Sequence, residues 1–249
     1  MCKSAKICFM LIIVILIYLF TIHTSSARYI DSIPVLLYHR IGYTSNALTV
    51  TPERLSLDLA KLRHNGYETI SLNTFEDFLD GKEVQLPAKP LLITFDDCYQ
   101  DNYDNAFPIL KQNNAIATFF VITEFVDKYS DRLTSQEIKE MYTSGMSFGS
   151  HTVSHVALAS QSEDSMWKEL FFSKQFLEQI LAVPIDTIAY PGGSYNSETI
   201  RIAEGLGYRR GFTVKRGVCN QQGPSFGIPR IPIFSYTEGV LDAIKNAQN

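Results

Sequence analysis

Short apolar runs alternate with stretches in which apolar residues recur every three or four positions, through most of the chain after residue 28. The runs "IPVLLYH" (33–39), "ETISL" (68–72), "KPLLITF" (89–95), "IATFFVI" (116–122), "MSFGSHT" (146–152), "DTIAYP" (186–191) and "RGFTV" (210–214) predict strands. The intervening stretches predict helices. "TPERLSLDLAKLRHNGY" opens with Thr51 as N-cap and Pro52 at the first helical position, and closes with Gly66 past its end. "NTFEDFLDG" predicts a short helix, and "NAFPILKQNN" one that tolerates Pro108 only near its start. "TSQEIKEMYTSG" carries Thr134 or Ser135 as cap with Glu137 nearby. "SEDSMWKELFFSKQFLEQIL", "NSETIRIAEGLGY" and "EGVLDAIKN" complete the set. Seven or eight strands alternating with helices argue for an α/β protein with parallel strands and helical crossovers, either a barrel or an open sheet. In both, chemistry gathers at the C-terminal ends of strands, which directs attention to His39, Asp96, Asp97, His151 and Tyr190.

The N-terminus breaks the pattern. Lys3 and Lys6 precede the uncharged run "ICFMLIIVILIYLF", followed by the small residues Ser25 and Ala27. That is the layout of an export signal cleaved after Ala27, with an uncleaved membrane anchor as the alternative. Both place residues 28–249, which show no second-domain boundary, outside the cytoplasm, secreted or anchored at the cell envelope. Beyond this segment no membrane contact is expected. The formal charge is −4, and the two leader lysines contribute +2 to it, so the remainder carries −6. A mildly acidic domain argues against nucleic acid as a partner. Past the leader only Cys98 and Cys219 remain, too few for a disulfide framework, although the two can pair in an oxidising compartment.

The candidate chemistry begins at "LLITFDDCYQDN" (91–102), where a buried-looking run ends in two adjacent acids. Repulsion and desolvation oppose that pair unless a positive partner is present. "SHTVSH" supplies His151 and His155 at i, i+4, a spacing that brings two imidazoles onto one face of a helical turn. Two histidines and a carboxylate form a common ligand set for a catalytic divalent ion, and Asp97 is available as the carboxylate. Such an ion relieves the repulsion at Asp96–Asp97.

"TFDD", "SHTxxH" and "AYPGG", with "PVLLYHRIG", "LxxLxxNGYxTISL", "DNYxNAFPILK" and "ATFFVIT", resemble the polysaccharide deacetylase family (the NodB-homology domain of carbohydrate esterase family 4) over residues 33–233. Within it the chain is most similar to the exported bacterial branch that includes poly-N-acetylglucosamine deacetylases. The resemblance implies a single-domain distorted (β/α)7 barrel. It implies Asp96 as general base and a divalent ion on Asp97, His151 and His155, zinc in the usual case with cobalt or nickel as alternatives. It also implies a backbone N–H at Tyr190 as oxyanion donor, and removal of N-acetyl groups from an N-acetylglucosamine-containing polysaccharide.

Several positions depart from the family pattern. Cys98 stands where the family usually has Gly, Ala189 where many members have an Arg that pairs with the base, and Gly192 where an aromatic is usual. Arg230, in "IPRIPIF", is a candidate to hold Asp96 instead, the alternative being a surface cation. No His follows His155, so the late family His that serves as general acid is missing. His39 is the candidate replacement, or a hydrogen-bonding partner of its own loop. Tyr99, Tyr103, Phe125, Tyr195 and Phe234 are candidates for a sugar groove or for the core. Two other functions fit these departures: an O-acetyl esterase on xylan or another glycan, and a glycan-binding homologue that keeps the ion without turnover. No H-E-x-x-H occurs, which disfavours a metalloprotease.

Overall fold

The computed structural model describes residues 30–248, so the candidate leader lies outside the described residues. In chain order the strands are β1 (Val35–Tyr38), β2 (Arg40–Ile41), β3 (Thr49–Val50), β4 (Glu68–Thr69), β5 (Pro90–Phe95), β6 (Thr118–Val121), β7 (Ser147–Ser150), β8 (Thr187–Ala189), β9 (Arg210–Arg216) and β10 (Ile228–Pro232). The helices are α1 (Pro52–His64), α2 (Leu72–Leu79), α3 (Phe107–Gln112), α4 (Ser135–Thr143), α5 (Glu163–Leu181), α6 (Ser197–Gly205) and α7 (Val240–Gln248).

Seven strands close into a parallel barrel in the order β1, β5, β6, β7, β8, β9, β10 and back to β1. This is the distorted (β/α)7 barrel, a single domain. The distortion sits in the later strands. β7 and β8 align only at Ser150 and Ile188, and the register between β9 and β10 shifts between Ile228 and Arg230. β4 pairs with the start of β5, and β2 pairs with β3 beside the mouth.

β5 and β6 are largely apolar and buried on both faces, as a sheet covered by helices requires. All six residues of β5 are buried. Phe119 and Phe120 are neighbours on β6 and point to opposite faces. Phe119 stacks between Phe95 and Phe148. Phe120 meets Phe212, and the Arg230 guanidinium lies over both of the latter rings at 5.7 and 5.9 Å. Gly149 makes this possible, since a Cβ there would lie 2.6 Å from the Phe120 ring.

Helix ends follow the sequence signals. Thr51 accepts from the Arg54 N–H, Gly66 takes φ +81°, and Thr134 and Glu137 form a reciprocal capping box. Pro108 falls in the first turn of α3, behind a π-helical segment at Asn102–Ala106. One barrel strand carries no sequence signal. β10, "IPRIP", has two prolines and cannot donate a full ladder, which its register shift accommodates. Among the described residues no helix is long and apolar enough to cross a membrane.

Candidate metal centre and catalytic carboxylate

β5 ends in a turn that few L-residues adopt. Asp96 still donates its N–H to the Tyr38 carbonyl at 3.0 Å. Asp97 and Cys98 then take φ of +72° and +50°. Left-handed backbone costs roughly 1–2 kcal/mol per non-glycine residue, so other contacts must hold it. The segment before α4 does so: Leu133 N–H donates to the Cys98 carbonyl at 3.3 Å and Arg132 Nη1 to the Asp97 carbonyl at 3.2 Å. The Cys98 thiol donates to the Phe120 carbonyl. The turn sends the two carboxylates to different partners.

Asp96 is met by Arg230. Its Oδ1 and Oδ2 accept from Nη1 and Nη2, each at 2.7 Å, while Arg230 Nε donates to the Thr213 carbonyl at 3.0 Å. Both side chains are buried, so Arg230 is an interior cation and not a surface one. Burial pushes the Asp96 carboxyl up, but the Arg230 guanidinium, with His151 and His39 adding to it, holds the group below the ordinary carboxylate range.

Asp97 faces the histidines. Its Oδ1 lies 3.4 Å from His151 Nε2 and 3.3 Å from His155 Nε2. The stretch between the two histidines is not the helical turn that their spacing suggests. It is a loop with Thr152 at φ +66° and His155 at φ +63°, held by a bond from the His155 N–H to Thr152 Oγ1 at 3.0 Å. The loop folds back, so the imidazoles converge with ring centroids 4.9 Å apart. One ligand atom from each of Asp97, His151 and His155 lies within 4.8 Å of the others.

The donor set fits a divalent ion. His151 Nδ1 lies 2.7 Å from the Ala189 carbonyl, which can only accept. Nδ1 therefore carries the proton, and in the neutral ring Nε2 presents a lone pair. That lone pair faces Asp97 Oδ1, a buried oxygen with no hydrogen-bond partner among the described residues. Two lone pairs in contact require a cation between them. Burial pushes the His151 imidazole down, but the Asp96 and Asp97 carboxylates push it further up. Burial likewise pushes the Asp97 carboxyl up, and the two imidazoles pull it further down, well below its ordinary value.

His39 follows β1. Its Nδ1 is buried and unpartnered among the described residues, and its carbonyl is held by Asn102 Nδ2 at 2.8 Å. Burial pushes its imidazole down, against the upward pull of Asp96 and Asp97.

Tyr190 does not supply the N–H that the resemblance implies. That N–H donates to the Phe212 carbonyl at 3.0 Å, and the ring is fully buried against Tyr195. The β8–β9 ladder has taken the donor. Two residues on, at φ +59°, the Gly192 N–H has no backbone acceptor among the described residues.

Cys98 and Cys219 are both buried and free. The five candidate groove aromatics are all half-buried, and Tyr99 lies between the guanidinium groups of Arg40 and Arg132 at 4.4 and 3.9 Å. Not legible in the sequence were Arg132, the Gly192 N–H as a free donor, and the Ala189 carbonyl. A backbone atom carries no residue signal, and Arg132 is 35 positions from the carbonyl it holds.

The polysaccharide deacetylase family model matches residues 83–211. YxkH of Bacillus subtilis is 32% identical over 201 residues, covering 81% of this chain and 71% of that protein. A poly-beta-1,6-N-acetyl-D-glucosamine N-deacetylase of Staphylococcus aureus is 31% identical over 174 residues, covering 64% of this chain and 60% of that enzyme. Among solved structures, the Streptococcus pyogenes deacetylase PplD in complex with acetate aligns with a TM-score of 0.81 and 34% identity, covering 86% of this chain and 98% of that one.

Proposed function

The chain belongs to the polysaccharide deacetylase family, and from that membership we propose that it hydrolyses N-acetyl groups on an N-acetylglucosamine-containing polysaccharide with a divalent ion at Asp97, His151 and His155. The observation that carries this reading is the juxtaposition of that three-ligand cluster with a carboxylate, Asp96, kept charged by Arg230. A divalent ion so held supplies Lewis acidity, polarising an acyl carbonyl and acidifying water. Zinc suits two imidazoles and one carboxylate with open positions, and cobalt or nickel shares the donor set.

The chain's own residues do the rest. Asp96 accepts the proton of the water that attacks the acetyl carbon. Arg230 keeps the base ionised and fixes both of its oxygens. The Gly192 N–H, free where that of Tyr190 is spent, is the donor we assign to the developing oxyanion. The leaving nitrogen must gain a proton to depart as an amine. His39, buried directly after β1 with an unpartnered Nδ1, is the group we assign to pass it on. The acetate seen with the Streptococcus pyogenes deacetylase and the name of the Staphylococcus aureus relative support the bond and the sugar proposed. The basic, apolar leader supports export.

The test is acetate release from N-acetylglucosamine oligomers by the zinc-loaded protein beside Asp96→Asn. Loss of about 10²–10⁴-fold in the variant is expected, the range for removing a general base. No release from the parent with an ion shown to be bound, but turnover of acetylated xylan, would replace this reading by the O-acetyl esterase.

A further inference from the structure

We propose that Glu169 is a positioning residue for the ion site: from α5 its carboxylate holds the loop that presents His155 in a conformation the loop's own sequence disfavours, and so sets the affinity for the ion. The proposal rests on reading Asp97, His151 and His155 as that site.

The loop between the two histidines contains Thr152, a β-branched residue, in the left-handed region, and His155 is left-handed as well. β-branched residues are rare there because the branched side chain crowds the backbone. Something must over-determine this geometry. Glu169 Oε2 accepts from the Val153 N–H at 2.8 Å and the Ser154 N–H at 2.9 Å, and Oε1 accepts from the Ser154 hydroxyl at 2.5 Å. Among the described residues no backbone carbonyl takes either N–H. The loop's carbonyls are bound from the other side, where Thr123 N–H donates to Thr152 at 3.1 Å and Glu124 N–H to Val153 at 2.9 Å. The segment is thus clipped between the end of β6 and the face of α5.

The two histidines depend on this clip unequally. His151 has its own anchors, a ladder bond to Val121 and the Nδ1 contact with Ala189. His155 has a 41% exposed side chain, and its ring meets only Asp97 through a polar contact among the described residues. Its position is set by the backbone beneath it, which Glu169 holds. Partners outside the ligand shell typically contribute about 10–100-fold to ion affinity.

The test uses zinc and cobalt(II) titrations against a competing chelator on the parent, Glu169→Gln and Glu169→Ala, with the cobalt absorption spectrum recorded. Glu178→Gln is the control. Glu178 lies on the same helix and accepts from a backbone N–H, that of Ile185 at 3.1 Å, away from the site. Affinity about 10-fold or more weaker in both Glu169 variants, with altered cobalt bands and the control within about twofold of the parent, is the expected result. Glutamine preserves size and one acceptor oxygen, so it reports even where the alanine variant fails to fold. A parent that binds an ion, with a glutamine variant that binds it equally and with the same spectrum, overturns the role of Glu169 alone. A parent that binds no ion overturns the site reading beneath it.

Discussion

Asp96 follows β5 at the mouth of the barrel, and Glu76, on α2, meets Thr187 at the start of β8 at the other end. Both are acids with almost no exposed surface, 2% and 5%. Burial pushes both carboxyls up. At Asp96 two guanidinium nitrogens at 2.7 Å reverse the effect, and the group is charged. At Glu76 the nearest guanidinium contact is Arg209 Nη1 at 3.8 Å, and Arg209 also serves Asp80 and Asp186. Glu76 is pushed up to about 7 and is bonded to the Thr187 hydroxyl. The difference teaches that depth alone raises a buried acid and that charged partners in close contact reverse the effect. At Asp96 a bidentate guanidinium offsets burial, and among the described residues no guanidinium pairs with Glu76 at that distance.

Breaking the mouth pair should have the largest effect on stability. Arg230→Met leaves a buried carboxylate without its partner and should cost about 3–5 kcal/mol in urea unfolding. The double variant with Asp96→Asn should recover part of that loss. Full additivity of the two substitutions would show that the pair is not coupled.

Glu76 gives the next largest effect. Its folded-state value lies above the ordinary value near 4.5. Its contribution to stability is therefore complete below about pH 4.5 and is lost as pH rises through about 7. A shift of that size corresponds to about 3 kcal/mol. The stability of the parent relative to Glu76→Gln should fall by about 3 kcal/mol between about pH 4 and about pH 8, measured by chemical denaturation at each pH. A difference that does not change with pH would mean that Glu76 titrates at its ordinary value in the folded protein.

Arg209→Gln should do least. Arg209 pulls Glu76 down from 3.8 Å with a side chain 42% exposed, so solvent screens it. Its removal should raise the Glu76 midpoint by less than about one pH unit, read from the same denaturation series. A downward move would contradict the assigned sign.

Much of the fold was legible. β5 and β6 are apolar runs of strand length, and α1 and α4 carry their caps in the chain itself. Asp96, Asp97, His151 and His155 were legible as chemistry-bearing residues for the same reason: their types and spacings are local. The form of the histidine stretch was not. An i, i+4 spacing reads as a helical turn, and the left-handed Thr152 and His155 are stabilised from α5 and the end of β6, outside any local window. The Tyr190 N–H looked available because a ladder bond to Phe212, 22 residues on, leaves no mark on "AYPGG".

The sequence by itself determined the alternation of strands and helices, the helix caps, and the residue types able to hold an ion, because each is set by periodicity or by chemistry within a few residues. Tertiary structure alone decided the charges. Arg230 is 134 positions from Asp96 and lies on a proline-bearing strand that reads poorly as one. Thr187 is 111 positions from Glu76. Protonation of a buried acid depends on the distance and orientation of a cation, and these exist only once the barrel has closed.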